Sequence, residues 1–390
     1  MKIIIIGGGI GGLSTSIALS QALPGSDIQI YERVTDLRPI GAAISVWSNG
    51  VKVLKKLGLG DQIEAYAGDM QRMAYCNKTG EKLCEFSLKP LYDRVKQRAC
   101  PIARTSLQTV LLEGAQAHDV RVHLGKQAVH FSQTNDQVTV QFKDGEQVNA
   151  DLLVIAEGTH SKMRNIVAGR VVDRNYVGYV NFNGSVPITP ELGDATTWIQ
   201  FVGDGKRVSM MPMGDDKFYF FFDVSLPAGT TSKPDSYRQE LAQHFEGWPD
   251  PVQELIRNLD PTKIARVEIH DVEELETFVS GRAVMIGDAA HGTAPDLGQG
   301  GCQAMEDGWV LANALKSHPG NVWAALREYD DMRVERTVQL VSRARKRADM
   351  IHGKHMPTTL AWYEELARET GEDIMEGMAK TIQGAPKDLE

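Results

Sequence analysis

The chain has 390 residues, 42% of them hydrophobic and 24% charged, with a formal net charge of −9. That length carries two or three domains' worth of core, and the composition is that of a globular protein, not a disordered or fibrous one. The acidic balance argues against general nucleic-acid binding but leaves room for a local basic pocket.

In chain order, Ile3 to Ile6 form an apolar run short enough for a buried parallel strand. It leads into Gly7, Gly9 and Gly12, spaced G-x-G-x-x-G, and a helix is predicted over Leu13 to Leu23. A second strand, Asp27 to Tyr31, ends at the acidic Glu32. Gly7 permits the strand-to-helix turn, Gly9 lets a pyrophosphate approach the backbone, and Gly12 lets the helix pack close. The helix N-terminus then offers free N–H groups to phosphates, and Glu32 stands where an acid binds a ribose hydroxyl. An acid there disfavours a 2′-phosphate, so FAD or NAD is expected and NADP is not. Arg33 either packs along the adenosine or is solvated.

Gly41, Ala42 and Ala43 suit a bulky flat ligand or close packing alone, ahead of a strand or turn at Ala42 to Val46 and a helix from about Asn49 to Leu57. Met73 to Phe86 reads as a hairpin turning at Asn77 to Gly80. Ile102 to Ala115 is a helical pattern starting near Arg104, with Gln108 one turn along the same face; the pair either points at an anion or lies on a solvated face. Val138 to Phe142 opens a hairpin, and Leu152 to Ala156 repeats the opening theme, running into Glu157-Gly158. That strand is expected to return to the first sheet.

From about Asn175 the chain becomes β-rich. Thr197 to Val202, Arg207 to Pro212 and Lys217 to Val224 read as an antiparallel meander. Arg207 and Tyr219 stand on adjacent strands of it. Arg207 either meets an anionic substrate or reaches solvent at a strand edge. Helices follow at Asp235 to Phe245 and Pro251 to Asn258, then a strand at Ala265 to Asp271. Ala283 to Ile286 is a further buried strand, ending at Gly287-Asp288. A loop with Pro295, Asp296, Gly298, Gln299, Gly300 and Gly301 then opens a long helix from about Cys302. Asp288 facing that helix N-terminus is a second ligand cradle, or a helix cap and tight loop. Trp323 to Ile351 is a long amphipathic helix whose basic cluster (Arg343, Arg345, Lys346, Arg347) is read as a solvated or packing face.

The cysteines Cys76, Cys84, Cys100 and Cys302 form no C-x-x-C pair, and no Cys/His cluster has zinc spacing, so reduced thiols, a cytoplasmic setting and no metal are expected. No run approaches the roughly 18 apolar residues of a membrane span, and the first apolar run is too short for a secretory signal. No nucleophile–base triad is visible.

Three motifs, GGGIGG with Glu32, AEGTHSKMR at 156–164 and GDAAHGTAPDLGQGG at 287–301, stand in an order that resembles the single-component, FAD-dependent aromatic hydroxylases of the para-hydroxybenzoate hydroxylase type. The family's middle motif usually has Asp-Gly where this chain has Glu157-Gly158, and Ser48 stands where many relatives have proline. GAAISVWSNGVK, YVNFNG, GDGKRVSMMP, KFYFFFDV, APDLGQGGC, ARKRADMIHGKHM and AWYEELARETGE are similar to the family's urate-hydroxylating members. The resemblance implies bound FAD, NADH as reductant, O2 as co-substrate, and hydroxylation of urate to 5-hydroxyisourate through a flavin C4a-hydroperoxide. It implies an α/β fold with an α+β insert. A Rossmann-like FAD-binding domain (1–72, 101–170, 265–350) would carry an antiparallel β-sheet substrate domain (73–100, 171–264). A long C-terminal helix and a helical segment over 351–390 complete it. By motif, Asn181 and Arg207 match substrate-contacting positions, with Tyr219 and Asp296 as further active-site members. Gly11, Glu32, Arg33, Ser45, Arg104, Gln108, Ala128, Asp288, Gly298, Gln299, Gly300, Gly301 and Cys302 match flavin-contacting ones, beside Gly7, Gly9 and Gly12. A hydroxylase of another, salicylate-like aromatic acid and a flavin-dependent reductase or dehydrogenase remain the alternatives. The partners expected are small molecules, with no nucleic acid or membrane, in a monomer or homodimer.

Overall fold

The structure, a computed structural model, describes all residues except 38–42, 385, 387, 388 and 390. Gly41 and Ala42 therefore lie outside the described residues. Lys2–Ile6 is a central strand, parallel to Asp27–Tyr31 on one side and to Leu152–Ile155 on the other. Arg121–His123 and Ala283–Met285 extend the sheet in parallel, and Val279–Ser280 closes it antiparallel, giving six strands. Both faces of the central strand are covered, so Ile3, Ile4, Ile5 and Ile6 are all buried, each removal from water contributing about 2–3 kcal/mol. The strand of 152–155 thus returns to the first sheet as expected.

The first helix is Ile10–Ala22, so Gly11 and Gly12 lie inside its first turn and not before it. At Gly12 a Cβ would fall on the Gly7 carbonyl oxygen, and this is why the turn can close so tightly. The helix expected to start near Arg104 does so and runs to Ala117, but the residues before it are not part of the helical pattern. Cys100–Ala103 is instead a strand paired antiparallel with Ala43–Val46, its β-compatible Ile102 fully buried. Ala128–Gln133, Val138–Phe142 and Gln147–Ala150 form a separate three-stranded sheet.

The second layer is a seven-stranded sheet in the order Ala265–Val272, Arg174–Pro187, Lys217–Val224, Lys206–Met213, Thr197–Gly203, Arg72–Asn77, Lys82–Ser87. Ala265–Val272, expected with the first layer, belongs here: it pairs antiparallel with Arg174–Pro187 along most of its length. Period-two alternation sorts the two faces. Phe218, Phe220 and Phe222 pack with Val180, Phe182, Val208 and Met210 against the helices Tyr237–His244 and Asp250–Asn258. Tyr219 and Phe221, with Asn181, Asn183, Arg207 and Met211, face the opposite way, into a cavity between the layers.

Gly300–Ser317 packs along Ile10–Ala22, and the 30-residue helix Val322–Ile351 packs along Gly300–Ser317. Met356–Leu366 and Glu372–Ile382 add Trp362, Leu366, Ala379 and Ile382 to the main core. The described cysteines are all buried and free. No helix among the described residues is long and apolar enough to cross a membrane.

Candidate active site

The cavity has a volume of about 1180 Å³, above the usual range for one small ligand and suited to a cofactor together with a substrate. It brings together all four expected active-site members, Asn181, Arg207, Tyr219 and Asp296, with Ser45, Arg104, Asp288, Gly298, Gln299, Gly300 and Gly301 of the expected cofactor set. Trp47, Trp198, Met73, Met211 and Phe221 supply apolar wall that excludes water.

Register places the charges of the substrate wall. Arg207 pairs across strands with Asp223, and Asp223 pairs on its other side with Asn181. Arg207 donates from Nε to Asp223 Oδ2 at 2.8 Å and from Nη2 to Asp296 Oδ1 at 2.9 Å, and its guanidinium lies over the Phe221 ring at 5.0 Å. Asn181 Nδ2 donates to Asp223 Oδ1 at 2.7 Å, and Asn183 Nδ2 donates to Asn181 Oδ1 at 2.8 Å. Tyr179 donates its hydroxyl to Asp296 Oδ2 at 2.7 Å. The arginine is buried, so it is not a solvent-reaching edge residue. Burial alone would raise the Asp296 carboxyl; Arg207 and His352 outweigh it and hold it well below the usual carboxylate range. Burial lowers the Arg207 guanidinium, but Asp223 and Asp296 raise it further than burial takes it down. Burial pushes the Tyr219 phenol up to about 12, against the pull of Arg104. Tyr219 is therefore a hydrogen-bond donor at neutral pH, four residues along the strand from Asp223.

The glycine turn forms a second cluster that continues from the cavity. Glu32 Oε2 accepts from the Gly8 N–H at 2.7 Å, and Gln108 Nε2 donates to the Gly8 carbonyl at 3.2 Å. Gln108 and the cavity-lining Arg104 share the helix Arg104–Ala117, so the expected pair bridges turn and cavity. A Cβ at Gly9 would meet nothing within 4 Å, leaving that backbone open to approach, whereas one at Gly11 would press on Ala304. Gly7, Gly9, Gly11, Gly12, Glu32, Arg33, Gln108, Ala128 and Cys302 do not line the cavity itself. Arg33 is exposed, and Ala128 is buried in the three-stranded sheet. The Cys302 thiol accepts from the Trp47 N–H at 3.3 Å, and burial pushes it up to about 12, so it packs as an inert side chain. Glu157 folds back on its own loop, accepting from Ser161 Oγ at 2.7 Å and the Met163 N–H at 3.3 Å.

Several features fit an extended anionic cofactor. Neither the helix Ile10–Ala22 nor Gly300–Ser317 has a side-chain cap or an acidic residue in its first turn, so two helix N-termini keep donors and positive dipole ends for phosphate or carbonyl oxygens. Gly298 has φ of +63°, and a Cβ there would fall 2.6 Å from Trp47 Nε1, a buried donor that has no partner. Buried Arg164 donates to the carbonyls of Ala289, Asp288 and Thr159, tying the 156–164 loop to the Gly287-Asp288 turn. No group of His, Cys, Asp and Glu suited to a metal exists among the described residues.

Sequence reasoning missed Asp223, Tyr179 and His352. The first two share strand faces with Tyr219 and Asn181 at spacing two or four, a signal visible once the strands are assigned. It also missed a network behind the glycine loop. Arg333 donates to Asp307 Oδ1 at 2.6 Å, Glu306 Oε2 at 2.7 Å and Gln303 Oε1 at 2.7 Å. Arg336 binds both Glu306 oxygens, His291 Nε2 lies 2.7 Å from Asp307 Oδ2, and Asn49 joins Gln299 to Glu306.

A buried cation on the sheet faces the glycine-rich N-terminus of Gly300–Ser317 across the cavity, and Gln108 and Arg104 link that cavity to the glycine turn before Ile10–Ala22, an arrangement suited to an extended dinucleotide cofactor. Residues 1–344 match the FAD binding domain family, and the chain belongs to that family. Among its relatives, the FAD-dependent urate hydroxylase of Klebsiella pneumoniae subsp. pneumoniae is 48% identical over 387 residues, covering 99% of this chain and 100% of that protein. The FAD-dependent urate hydroxylase of Mycolicibacterium vanbaalenii is 46% identical over 387 residues, covering 99% and 98%. The crystal structure of Klebsiella pneumoniae HpxO complexed with FAD and uric acid superposes with a TM-score of 0.95 at 47% identity, covering 99% of this chain and 97% of that one.

Proposed function

We propose that this protein is an FAD-dependent monooxygenase that hydroxylates urate to 5-hydroxyisourate with NADH and O2. The observation that carries the reading is the buried Arg207–Asn181 wall inside a cavity closed by Gly298 to Gly301, in a chain similar over nearly its whole length to urate hydroxylases. The overall change balances as urate anion, NADH, O2 and two protons giving 5-hydroxyisourate, NAD+ and water. When bound, FAD supplies the redox chemistry that transfers electrons from NADH to oxygen and delivers one oxygen atom.

The chain's own residues bind, orient and exclude. Arg207 has Nε and Nη2 committed to carboxylates, which fixes the guanidinium plane and leaves the Nη1 edge for a ring carbonyl of the substrate. Asn181 retains a second N–H and a second lone pair to read the alternating donors and acceptors of a purine edge. Asp296, held ionised by its three partners, orients Arg207 and is a poor base for the substrate. Tyr219 donates from its protonated phenol. The two carboxylates already compensate Arg207, which favours a delocalised, N–H-rich anion such as urate over a compact aromatic carboxylate. For the reductant, Arg174 lines the cavity with its Nη1 2.9 Å from His160 Nδ1, and its guanidinium suits a phosphate of a dinucleotide.

The test is to follow NADH oxidation, oxygen uptake and urate absorbance together in the flavin-loaded protein. Urate loss matching NADH and oxygen consumption is the expected result. NADH and oxygen consumed with urate unchanged would overturn the substrate assignment, and urate-independent reduction of another compound without oxygen uptake would overturn the reaction class.

A further inference from the structure

The substrate wall has an unbalanced charge count. The side chains of Asp223 and Asp296 are both fully buried, and Arg207 is the cation hydrogen-bonded to both among the described residues. Two carboxylates against one guanidinium leave one net negative charge out of water, which a low-dielectric interior opposes unless another positive charge joins it. One group is placed to do so. His352 follows the long helix Val322–Ile351 and is buried; its ring stacks on Tyr179 with centroids 3.7 Å apart and planes 26° apart. Its Nε2 lies 3.4 Å from Asp296 Oδ1 and 4.0 Å from Asp223 Oδ2, and its Nδ1 is buried with no partner.

The titratable and charged groups facing this imidazole come from four elements: Tyr179 on Arg174–Pro187, Asp223 on Lys217–Val224, Arg207 on Lys206–Met213, and Asp296 on the loop before Gly300–Ser317. Ala265–Val272 contributes the apolar Ile269 to the neighbouring packing. On the same helix Arg345 is committed to Asp271, and just beyond His352 Lys354 is committed to Asp349.

We propose that His352 is a positioning residue for urate binding: as an imidazolium it supplies the second positive charge of the Arg207–Asp223–Asp296 cluster, so that the wall is neutral when it receives an anionic substrate. It acts through Asp296 and does not line the cavity. Loss of its proton would leave the wall with a net negative charge, which repels urate anion without touching the redox chemistry. The proposal rests on the urate reading, and it names a sign: urate binding weakens as pH rises, and a neutral ligand of the same shape is indifferent.

The experiment uses FAD-loaded protein between about pH 6.5 and 9, a window in which urate is a monoanion. Dissociation constants for urate and for an uncharged N-methylated urate are read from the flavin absorbance. The wild type is expected to lose urate affinity with rising pH while the uncharged ligand stays constant. His352→Gln, which keeps a hydrogen-bond donor but no charge, is expected to raise the urate KM at neutral pH by about tenfold or more, with kcat and flavin content near wild type. Its KM should no longer depend on pH. Equal pH dependence for both ligands, or none for urate, would overturn the proposal from wild-type data alone, even if the variant failed to fold. A variant with the wild-type KM–pH profile would also overturn it. Failure of the urate reading itself would show differently, as an absence of urate-dependent, coupled NADH oxidation at every pH.

Discussion

The molecule buries an arginine between two carboxylates twice, each time with a histidine against one of them. Arg207 lies between Asp223 and Asp296 with His352 beside the latter; Arg333 lies between Glu306 and Asp307 with His291 beside the latter. The two clusters differ in completeness. Around Arg333 a second cation, Arg336, binds Glu306, and Asn49, Gln303 and the Gly287 N–H occupy further positions, so charges and lone pairs are satisfied internally. Among the described residues no second arginine bonds the carboxylates around Arg207, an imidazole nitrogen has no partner, and one side opens on a cavity. A closed ionic network fixes architecture, here the turn at Gly287 and the position of Gln299. An open one keeps donors for a ligand. Burial and charge alone do not separate these roles; the adjoining cavity and the unfilled partners do.

The comparison breaks most visibly at Arg333. Arg333→Met leaves Glu306 and Asp307 short of a cation in a site water does not reach, at a cost of about 3–5 kcal/mol. A large drop in the thermal unfolding temperature of the flavin-loaded protein is expected, with the urate KM of the surviving enzyme close to wild type. Arg207→Gln should do the reverse. Asp223 keeps Asn181 and Asp296 keeps Tyr179 and His352 as partners, so the fold suffers less. Loss of a buried charged donor to the substrate should lower kcat/KM by about 3 kcal/mol, roughly 10²-fold, with bound FAD retained. Loss of flavin from that variant would show that Arg207 belongs to the architectural class after all.

The two clusters were unequally legible in the sequence. The cavity side of this sheet follows in part from period two: Arg207 and Tyr219 could each be placed on a predicted strand, whereas Asn181 came only from the family resemblance. That Arg207 meets Asp223 depends on the register between two strands, which the hydrophobic pattern constrains only to within two-residue steps. Asp296 and His352 reach the same point from a loop and from the end of a 30-residue helix, contacts that no local pattern encodes. Glu306, Asp307 and Arg333 were invisible because charged residues in a helix read as solvated by default, and only tertiary packing reveals that helices Gly300–Ser317 and Val322–Ile351 bury them against each other. The glycine turn was readable almost residue by residue, since each glycine answers a local steric demand. The helix start at Ile10 was missed because glycines lower helix propensity where a first turn tolerates them.

A smaller change sharpens the open cluster. Tyr179→Phe keeps the ring stacked on His352 and removes one hydrogen bond to Asp296, an interaction with a charged group worth about 1.5–3 kcal/mol. The urate KM should rise roughly tenfold. The native carboxyl of Asp296 is depressed below its ordinary value of 3.8, so its contribution is complete above that value and is lost as pH falls through the native one. Without the Tyr179 hydroxyl the carboxyl moves up, and acid inactivation should begin at higher pH than in the wild type.

The smallest expected effect is the most discriminating. His291→Gln removes the imidazole from Asp307 but leaves that carboxylate with Arg333 and the Gly287 N–H, and the new amide can donate in its place. The cost should be about 1 kcal/mol of stability. Burial raises the Asp307 carboxyl, but His291 and then Arg333 outweigh it and bring it down to about 2. Its stabilising contribution is thus complete above 3.8 and fades toward about 2, and the variant should start to lose stability nearer the upper end of that window. The urate KM and its dependence on pH should not move, because the charges around Arg333 are balanced without this histidine. A histidine that matters only where the cluster lacks a second arginine would tie the function of His352 to charge balance; a shift in urate KM from His291→Gln would mean instead that both clusters communicate with the cavity, and the division between closed and open networks would fall.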